Sequence, residues 1–388
     1  MKPATRPAPP LHPLLEGDRE YPFVLLDRRR EQLAPKGVRI ISFAQGDPRE
    51  VTPEFIRERL RDAIPAMSSY PTTAGQLELR VACARWLERR FGVKADPERN
   101  VLPVNGTKEA VFLLHFAVLS PESRRRMVVI PSPSYPVYEA GARYAGGEPH
   151  LVPLRSRDGW HFDPARVPDS IWERTALLWL NSPHNPTGAT LALDELRRVG
   201  DWARRHGFWV GADEAYAEVY FDSAPHSMLE TGLDNVIAFH TLSKRSAMTG
   251  YRSGFMAGDP RLIEALRRFR PNAGVATPDF VQAAAIAAWN DDAHPAEQRE
   301  RYAIKRRLFL DYFAKRGWKI EASEASFYLW LAAPGGDDVA FVDTLLRVGL
   351  VALPGSYLGE AGRGFIRFAL VPTPEECREA IARLEGVA

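Results

Sequence analysis

VIAFHTLSKRSAMTGYR, residues 236–252, joins an apolar run to a cluster of hydroxyl and basic residues. Its first five residues, Val236 to His240, read as a buried strand. That strand delivers Ser243 and Lys244 at its carboxyl end, with Arg252 eight positions beyond the lysine. A lysine beside a hydroxyl residue, backed by an arginine, suits a Schiff-base site for a phosphorylated aldehyde. Proteins hold pyridoxal phosphate by this lysine chemistry. Taken alone, Lys244 reads as a solvated surface charge. The stretches upstream decide between the two.

Residues 175–180, TALLWL, form an apolar run that ends at Asn181-Ser182-Pro183-His184-Asn185-Pro186-Thr187-Gly188. This is a buried strand followed by a sharp turn. Ligands of open α/β sheets bind at such carboxyl ends. Asn185 there suits a hydrogen bond to a cofactor oxygen, or is an ordinary turn asparagine. The next strand, residues 208–212, runs into Asp213-Glu214-Ala215-Tyr216. A carboxylate closing a buried strand is costly unless paired. Asp213 facing a pyridine nitrogen would be paired, and would keep that nitrogen protonated so that the ring draws electrons from a substrate carbon. By itself Asp213 reads also as a helix N-cap. Tyr216, three residues on, suits the cofactor's phenolic oxygen, or is a half-buried tyrosine with a wet hydroxyl. Three successive apolar strands thus end in an oxygen donor, a nitrogen partner and a covalent anchor. The joint occurrence carries the reading, not any single member.

The phosphate has candidates too. Asn105-Gly106-Thr107-Lys108-Glu109 follows the strand at residues 101–104 and opens a helical run at Ala110. Backbone amides at a helix start, helped by Thr107, bind anions. Ser243 and the forked guanidinium of Arg252 would complete the cradle. Tyr135, in Pro133-Ser134-Tyr135-Pro136, suits stacking on the ring or plain core packing.

Together these motifs resemble the class I/II aminotransferases, pyridoxal-phosphate enzymes of fold type I, from about Ser42 to the C-terminus. The resemblance implies an α/β fold: a mostly parallel seven-stranded sheet wrapped by helices, plus a small α+β domain. It implies an N-terminal arm and part of the small domain in residues 1–50, the large cofactor domain in 51–284 and the small domain in 285–388. Lys244 would bond the cofactor aldehyde and carry the proton in catalysis, with Asp213 and Tyr216 beside it. Asn185 and Tyr216 would bond the phenolic oxygen, and Tyr135 would stack on the ring. Gly106, Thr107, Lys108 (through its backbone), Ser243 and Arg252 would hold the phosphate. Arg367, in Gly364-Phe365-Ile366-Arg367-Phe368-Ala369-Leu370, matches the family's carboxylate clamp, though alone it reads as an edge-strand surface charge. Gly46 matches the glycine whose backbone approaches that carboxylate. Tyr70 matches a tyrosine that reaches the phosphate from the neighbouring subunit, which implies a homodimer with shared sites. No metal is implied.

A narrower resemblance, to N-succinyldiaminopimelate aminotransferases of lysine biosynthesis, rests on residues 70–75, 242–246, 291–294, 297–302 and 323–330. It implies transfer of an amino group from glutamate, leaving 2-oxoglutarate. Two alternatives use the same cofactor residues: a broad aspartate/alanine-type aminotransferase, and a carbon–sulfur lyase that releases pyruvate and ammonia without a keto-acid acceptor.

Composition bounds the rest. A chain of 388 residues exceeds one typical domain, and its 45% hydrophobic and 26% charged content is ordinary for a globular protein. Basic and acidic residues number 51 and 49, which argues against a nucleic-acid partner. No apolar stretch approaches the roughly 18 residues of a membrane span. Residues 1–10 lack the apolar core of a signal peptide and read as a loose lead-in. The two cysteines, Cys83 and Cys377, suit a reducing cytoplasm without disulfides. A nicotinamide dehydrogenase lacks its glycine fingerprint here. A DNA-binding regulator of the same fold would need an appended domain, and there is no room for one before Ser42. The arginine runs 28–30 and 124–126 read as solvated charge.

Overall fold

The structure, a computed structural model, describes residues 11–16, 20–274 and 276–387. Residues 1–10, expected as a lead-in, lie outside the described residues. Among the described residues twelve strands form three sheets: β1 (Ile41–Ser42), β2 (Val101–Val104), β3 (Met127–Ser132), β4 (Glu148–Pro153), β5 (Thr175–Asn181), β6 (Trp209–Asp213), β7 (Val236–Thr241), β8 (Gly254–Gly258), β9 (Tyr328–Ala332), β10 (Leu350–Val351), β11 (Leu353–Pro354) and β12 (Phe365–Ala369). The main sheet has the order β2-β8-β7-β6-β5-β3-β4, and only β8 runs antiparallel to both its neighbours. The expected mostly parallel seven-stranded sheet is therefore present.

Parallel strands are covered on both faces, so they read as unbroken apolar runs. β5, β6 and β7 do so and are buried almost throughout. Gly211 in β6 is required by packing: a Cβ there would lie 2.7 Å from the Trp179 ring on β5. The helix Leu193–His206 makes the crossover from β5 to β6, burying Leu196, Val199 and Ala203 and ending at Gly207 in the left-handed conformation. Registers pair Asn181 with Asp213 and Asp213 with Phe239. The carboxyl ends of the three strands thus lie side by side at one edge of the sheet, and this positions the site.

The second sheet is antiparallel, β11-β12-β9, and β1 pairs with β10. Arg367 sits in β12, the central strand, opposite Leu353 and Trp330, and is 3% exposed. The edge-strand reading of Arg367 fails because both neighbours of its strand come from distant segments. The arginine runs are not simply solvated either. Arg29 reaches Asp343 through Nε at 2.9 Å, and Arg125 donates to the His206 carbonyl at 2.5 Å. No helix among the described residues is long and apolar enough to cross a membrane.

Behind the site edge, Glu214 and His240 are buried together, with Glu214 Oε2 3.3 Å from His240 Nε2. Burial raises Glu214 to about 8 and lowers His240 to about 3, so both are neutral near neutral pH. The raised carboxyl stabilises most below its unfolded value of 4.5, and that contribution is lost as pH climbs to about 8. The depressed imidazole stabilises most above its unfolded value of 6.5, and that contribution is lost as pH falls to about 3. Between 4.5 and 6.5 the two slopes cancel. Thermal denaturation against pH is expected to show this pair as a plateau there, with stability falling from pH 6.5 toward 8. Glu214→Gln, a neutral isostere, should remove the fall on the alkaline side. An unchanged alkaline slope in that variant would mean the carboxyl is already ionised.

Candidate active site

A cavity of about 380 Å³ opens where the three strands end. Lys244, Asp213, Tyr216 and Asn185 line it from that edge, and Arg367 and Tyr328 from the antiparallel sheet. Tyr135, Thr107, Lys108, Ser243, Arg252 and Gly46 complete the wall from the sequence-derived set. Of that set only Gly106 and Tyr70 do not line it. Gly106 abuts Arg252 instead, and Tyr70 is wholly exposed.

Lys244 belongs to the one-turn helix Leu242–Arg245, capped by the Thr241 hydroxyl, which accepts from the Ser243 amide at 3.1 Å. The next residue anchors that turn. Arg245 is buried, donates to the Ala288 carbonyl at 2.7 Å and lies 5.1 Å over the Trp289 ring. Ser246 Oγ meets His294 Nε2 at 2.8 Å, and His294 Nδ1 meets Asp291 at 2.6 Å. Residues 242–246 and 291–294, two segments of the narrower resemblance, are therefore packed together and hold the lysine in place. Lys244 Nζ donates to the Gly46 carbonyl. Burial lowers its amine to about 8, against the attraction of Asp47.

Asp213 is buried, which raises its carboxyl, and a hydrogen bond from the Tyr138 hydroxyl at 2.7 Å opposes that rise. Tyr138 stacks on Trp179, ring centroids 4.6 Å apart, so the donor is rigid. The Asp213 carbonyl accepts from Asn181 at 2.7 Å, and the Asn181 side-chain oxygen accepts from the Asn185 amide at 2.8 Å. One asparagine thus ties the β5 turn to the β6 end. Asn185 Oδ1 accepts from Arg367 Nη1 at 2.8 Å, and Arg367 Nη2 donates to the Ala44 carbonyl at 2.5 Å. The guanidinium lies 4.4 Å from the Tyr328 ring centroid, and the Tyr328 hydroxyl meets that of Tyr216 at 2.9 Å. Arg367 is held by neutral groups alone, so its charge is left for an anion in the cavity.

Residues on this wall fit pyridoxal phosphate. Gly106 sits at φ 81° at the start of the helix Thr107–Val118, and a Cβ there would stand 2.1 Å from Arg252 Nη2. Arg252 itself holds a left-handed backbone, φ 55°, which brings its guanidinium onto that glycine. The result is a cradle of backbone amides, two hydroxyls and an arginine, the donor set a phosphate needs. Asp213 and Lys244 line the same cavity and would supply the carboxylate for a ring nitrogen and the amine for the aldehyde. Gly106→Ala is expected to weaken cofactor affinity about tenfold or more, the scale of one charge-assisted hydrogen bond. Titration of the apo-protein with pyridoxal phosphate measures this, and unchanged affinity would remove Gly106 and Arg252 from the cradle.

The chain belongs to the aminotransferases of class I and II, whose family model matches residues 38–384. That family depends on pyridoxal phosphate. An LL-diaminopimelate aminotransferase of Desulforudis audaxviator is 39% identical over 380 residues, 95% of this chain and 96% of the relative. A 4-dedimethylamino-4-oxo-anhydrotetracycline transaminase of Streptomyces rimosus is 38% identical over 372 residues, 94% of this chain and 98% of the relative. Among solved structures, a probable N-succinyldiaminopimelate aminotransferase of Thermus thermophilus superposes with a TM-score of 0.87 at 28% identity, covering 93% of this chain and 98% of that one.

Sequence reasoning did not single out Tyr138, Asn181, Asp47 or a role for Tyr328. Tyr138 carried one readable signal, its place just inside the helix Val137–Tyr144 that follows Tyr135. The others act through space and left no local mark.

Proposed function

We propose that this aminotransferase acts on the diaminopimelate skeleton at an α-amino carbon, with glutamate and 2-oxoglutarate as the second pair. The observation that carries the amino-transfer chemistry is the convergence of Lys244, Asp213 and Arg367 on one cavity. The bound cofactor supplies an electron sink for the substrate α-carbon. Arg367, braced by Asn185 and Ala44, takes the α-carboxylate and so fixes which bond faces the cofactor. Lys244, brought to about 8 by burial, holds a useful neutral fraction near neutral pH and moves the α-proton as base, then acid. Asp213, fixed by Tyr138, balances the charge on the ring nitrogen. Two substrates take turns at one site, so the kinetics are ping-pong.

Support for the skeleton comes from the names of the relatives. The 39% relative is an LL-diaminopimelate enzyme, and the N-succinyl form expected from sequence is carried by a neighbour at 28%. The proposal is therefore made for the skeleton and not for the succinyl group. Half-reactions with LL-diaminopimelate, N-succinyldiaminopimelate, aspartate and alanine, followed by the cofactor's absorbance, decide it. The first or second should convert the cofactor at least about tenfold faster than the last two, a difference of about 1.4 kcal/mol in barrier. Equal rates with aspartate or alanine would point to the broad enzyme; release of pyruvate, ammonia and a thiol from an added cysteine thioether, with no keto acid present, would point to the lyase.

A homodimer is part of this reading. Tyr70 is wholly exposed, as are Met67 and Ile64 for the most part, and a second copy would cover them while Tyr70 reached its phosphate. The division into residues 1–50, 51–284 and 285–388, and a cytoplasmic setting, belong to the same proposal.

A further inference from the structure

Four cations line the cavity, Lys108, Lys244, Arg252 and Arg367, against two carboxylates, Asp47 and Asp213. Asp213 has a partner in Tyr138 and a role at the ring nitrogen. Among the described residues Asp47 has no hydrogen-bond or ion-pair partner, and it is exposed to the cavity. It directly follows Gly46, whose carbonyl accepts from Lys244 Nζ. The loop beneath it is rigid. Glu50, three residues on, is paired with buried Lys305 and accepts from the Tyr302 hydroxyl at 2.9 Å. At the other end the Ala44 carbonyl is held by Arg367. A solitary carboxylate on a fixed loop, beside the reactive amine, has no structural task in the fold.

We propose that Asp47 is the docking group for the ammonium of the incoming amino acid. Amino transfer exchanges one nitrogen for another at a single place. The donor nitrogen arrives as an ammonium where the Lys244 nitrogen stands, and each is positively charged on arrival. The Asp47 charge, which attracts the Lys244 ammonium against the larger opposing effect of burial, would attract the donor ammonium at the same place. Arg367 takes the donor's carboxylate, so the two ends of the amino-acid group meet opposite charges across the cavity. A keto-acid acceptor has the carboxylate but no ammonium, and Asp47 gives it nothing or repels it. The residue therefore acts on one half of the cycle and biases the site toward amine donors. This rests on the proposed use of glutamate as the second amine and is independent of the diaminopimelate skeleton.

Asp47→Asn in the holoenzyme tests it, read as KM for glutamate, KM for 2-oxoglutarate, and dissociation constant for glutarate, which has both carboxylates and no amine. The expected result is a glutamate KM raised about tenfold, the scale of one charge-assisted contact, with the other two unchanged or lowered. Asp47→Glu should recover part of the glutamate effect. A merely structural role would weaken all three ligands together. That outcome, or no change in any of them, would overturn the proposal. Because the readout uses only glutamate, 2-oxoglutarate and glutarate, failure of the diaminopimelate reading leaves it standing and separately testable.

Discussion

Lys244→Ala is expected to lower transamination by about 10⁴-fold or more, at the upper end of what a positioned proton carrier contributes, while leaving the fold intact. The fold should survive because the turn carrying Lys244 is anchored by Arg245 and Ser246, not by Lys244 itself. Removing a buried amine with a depressed pKa even relieves a desolvation cost. The cradle of Gly106, Thr107, Ser243 and Arg252 is untouched, so the cofactor should still bind, now without a covalent bond. Borohydride treatment followed by peptide mass analysis would show loss of the attachment, and steady-state assay the loss of turnover. Retained transamination in this variant would sink the assignment of Lys244.

Arg367→Ala is expected to cut kcat/KM about 10²–10³-fold, the range for truncating one partner of a buried charge contact. Most of the loss should fall on KM for both substrates, because both carry the α-carboxylate. Cofactor content should change little, since Arg367 touches Asn185, Ala44 and the Tyr328 ring and no residue of the phosphate cradle. Arg367→Lys should recover only part of the loss, as an ammonium cannot reproduce the fork. Equal loss of cofactor would mean that the residue props the site and does not bind substrate.

The strands that carry the site were readable because of their burial. β5, β6 and β7 are covered on both faces, so each is a mostly apolar run that leads into the site: β6 ends on Asp213 itself, while Asn185 and Lys244 follow the ends of β5 and β7 by a few residues. Two other strands left a weaker trace. β4, at one edge of the sheet, carries two prolines and is only partly buried. β8 begins and ends in glycine, which reads against a strand. Those glycines are demanded by space: a Cβ on Gly254 would lie 2.6 Å from the His240 carbonyl, and one on Gly258 would overlap the Val236 carbonyl. Pairing partners decide such a strand, and they lie far away in sequence. The same limit explains Arg367, whose central position follows from β9 and β11 on either side. It explains Tyr138 as well, which meets Asp213 across 75 positions. Residues 242–246 and 291–294 were legible as a family signature, yet their contact turns them from a hint about substrate into the support under Lys244.

One cavity brings together Lys244, Asp213 and Arg367, the residues proposed to anchor the cofactor, pair its ring nitrogen and clamp the substrate carboxylate. The absorbance spectrum of the purified holoenzyme, recorded while glutamate is added, tests that assignment most directly. A visible band from the lysine-bound cofactor should give way to the band of its aminated form, with stoichiometric 2-oxoglutarate, and return when a keto acid is supplied. A protein that binds the cofactor but shows no such exchange with any amino acid would contradict it.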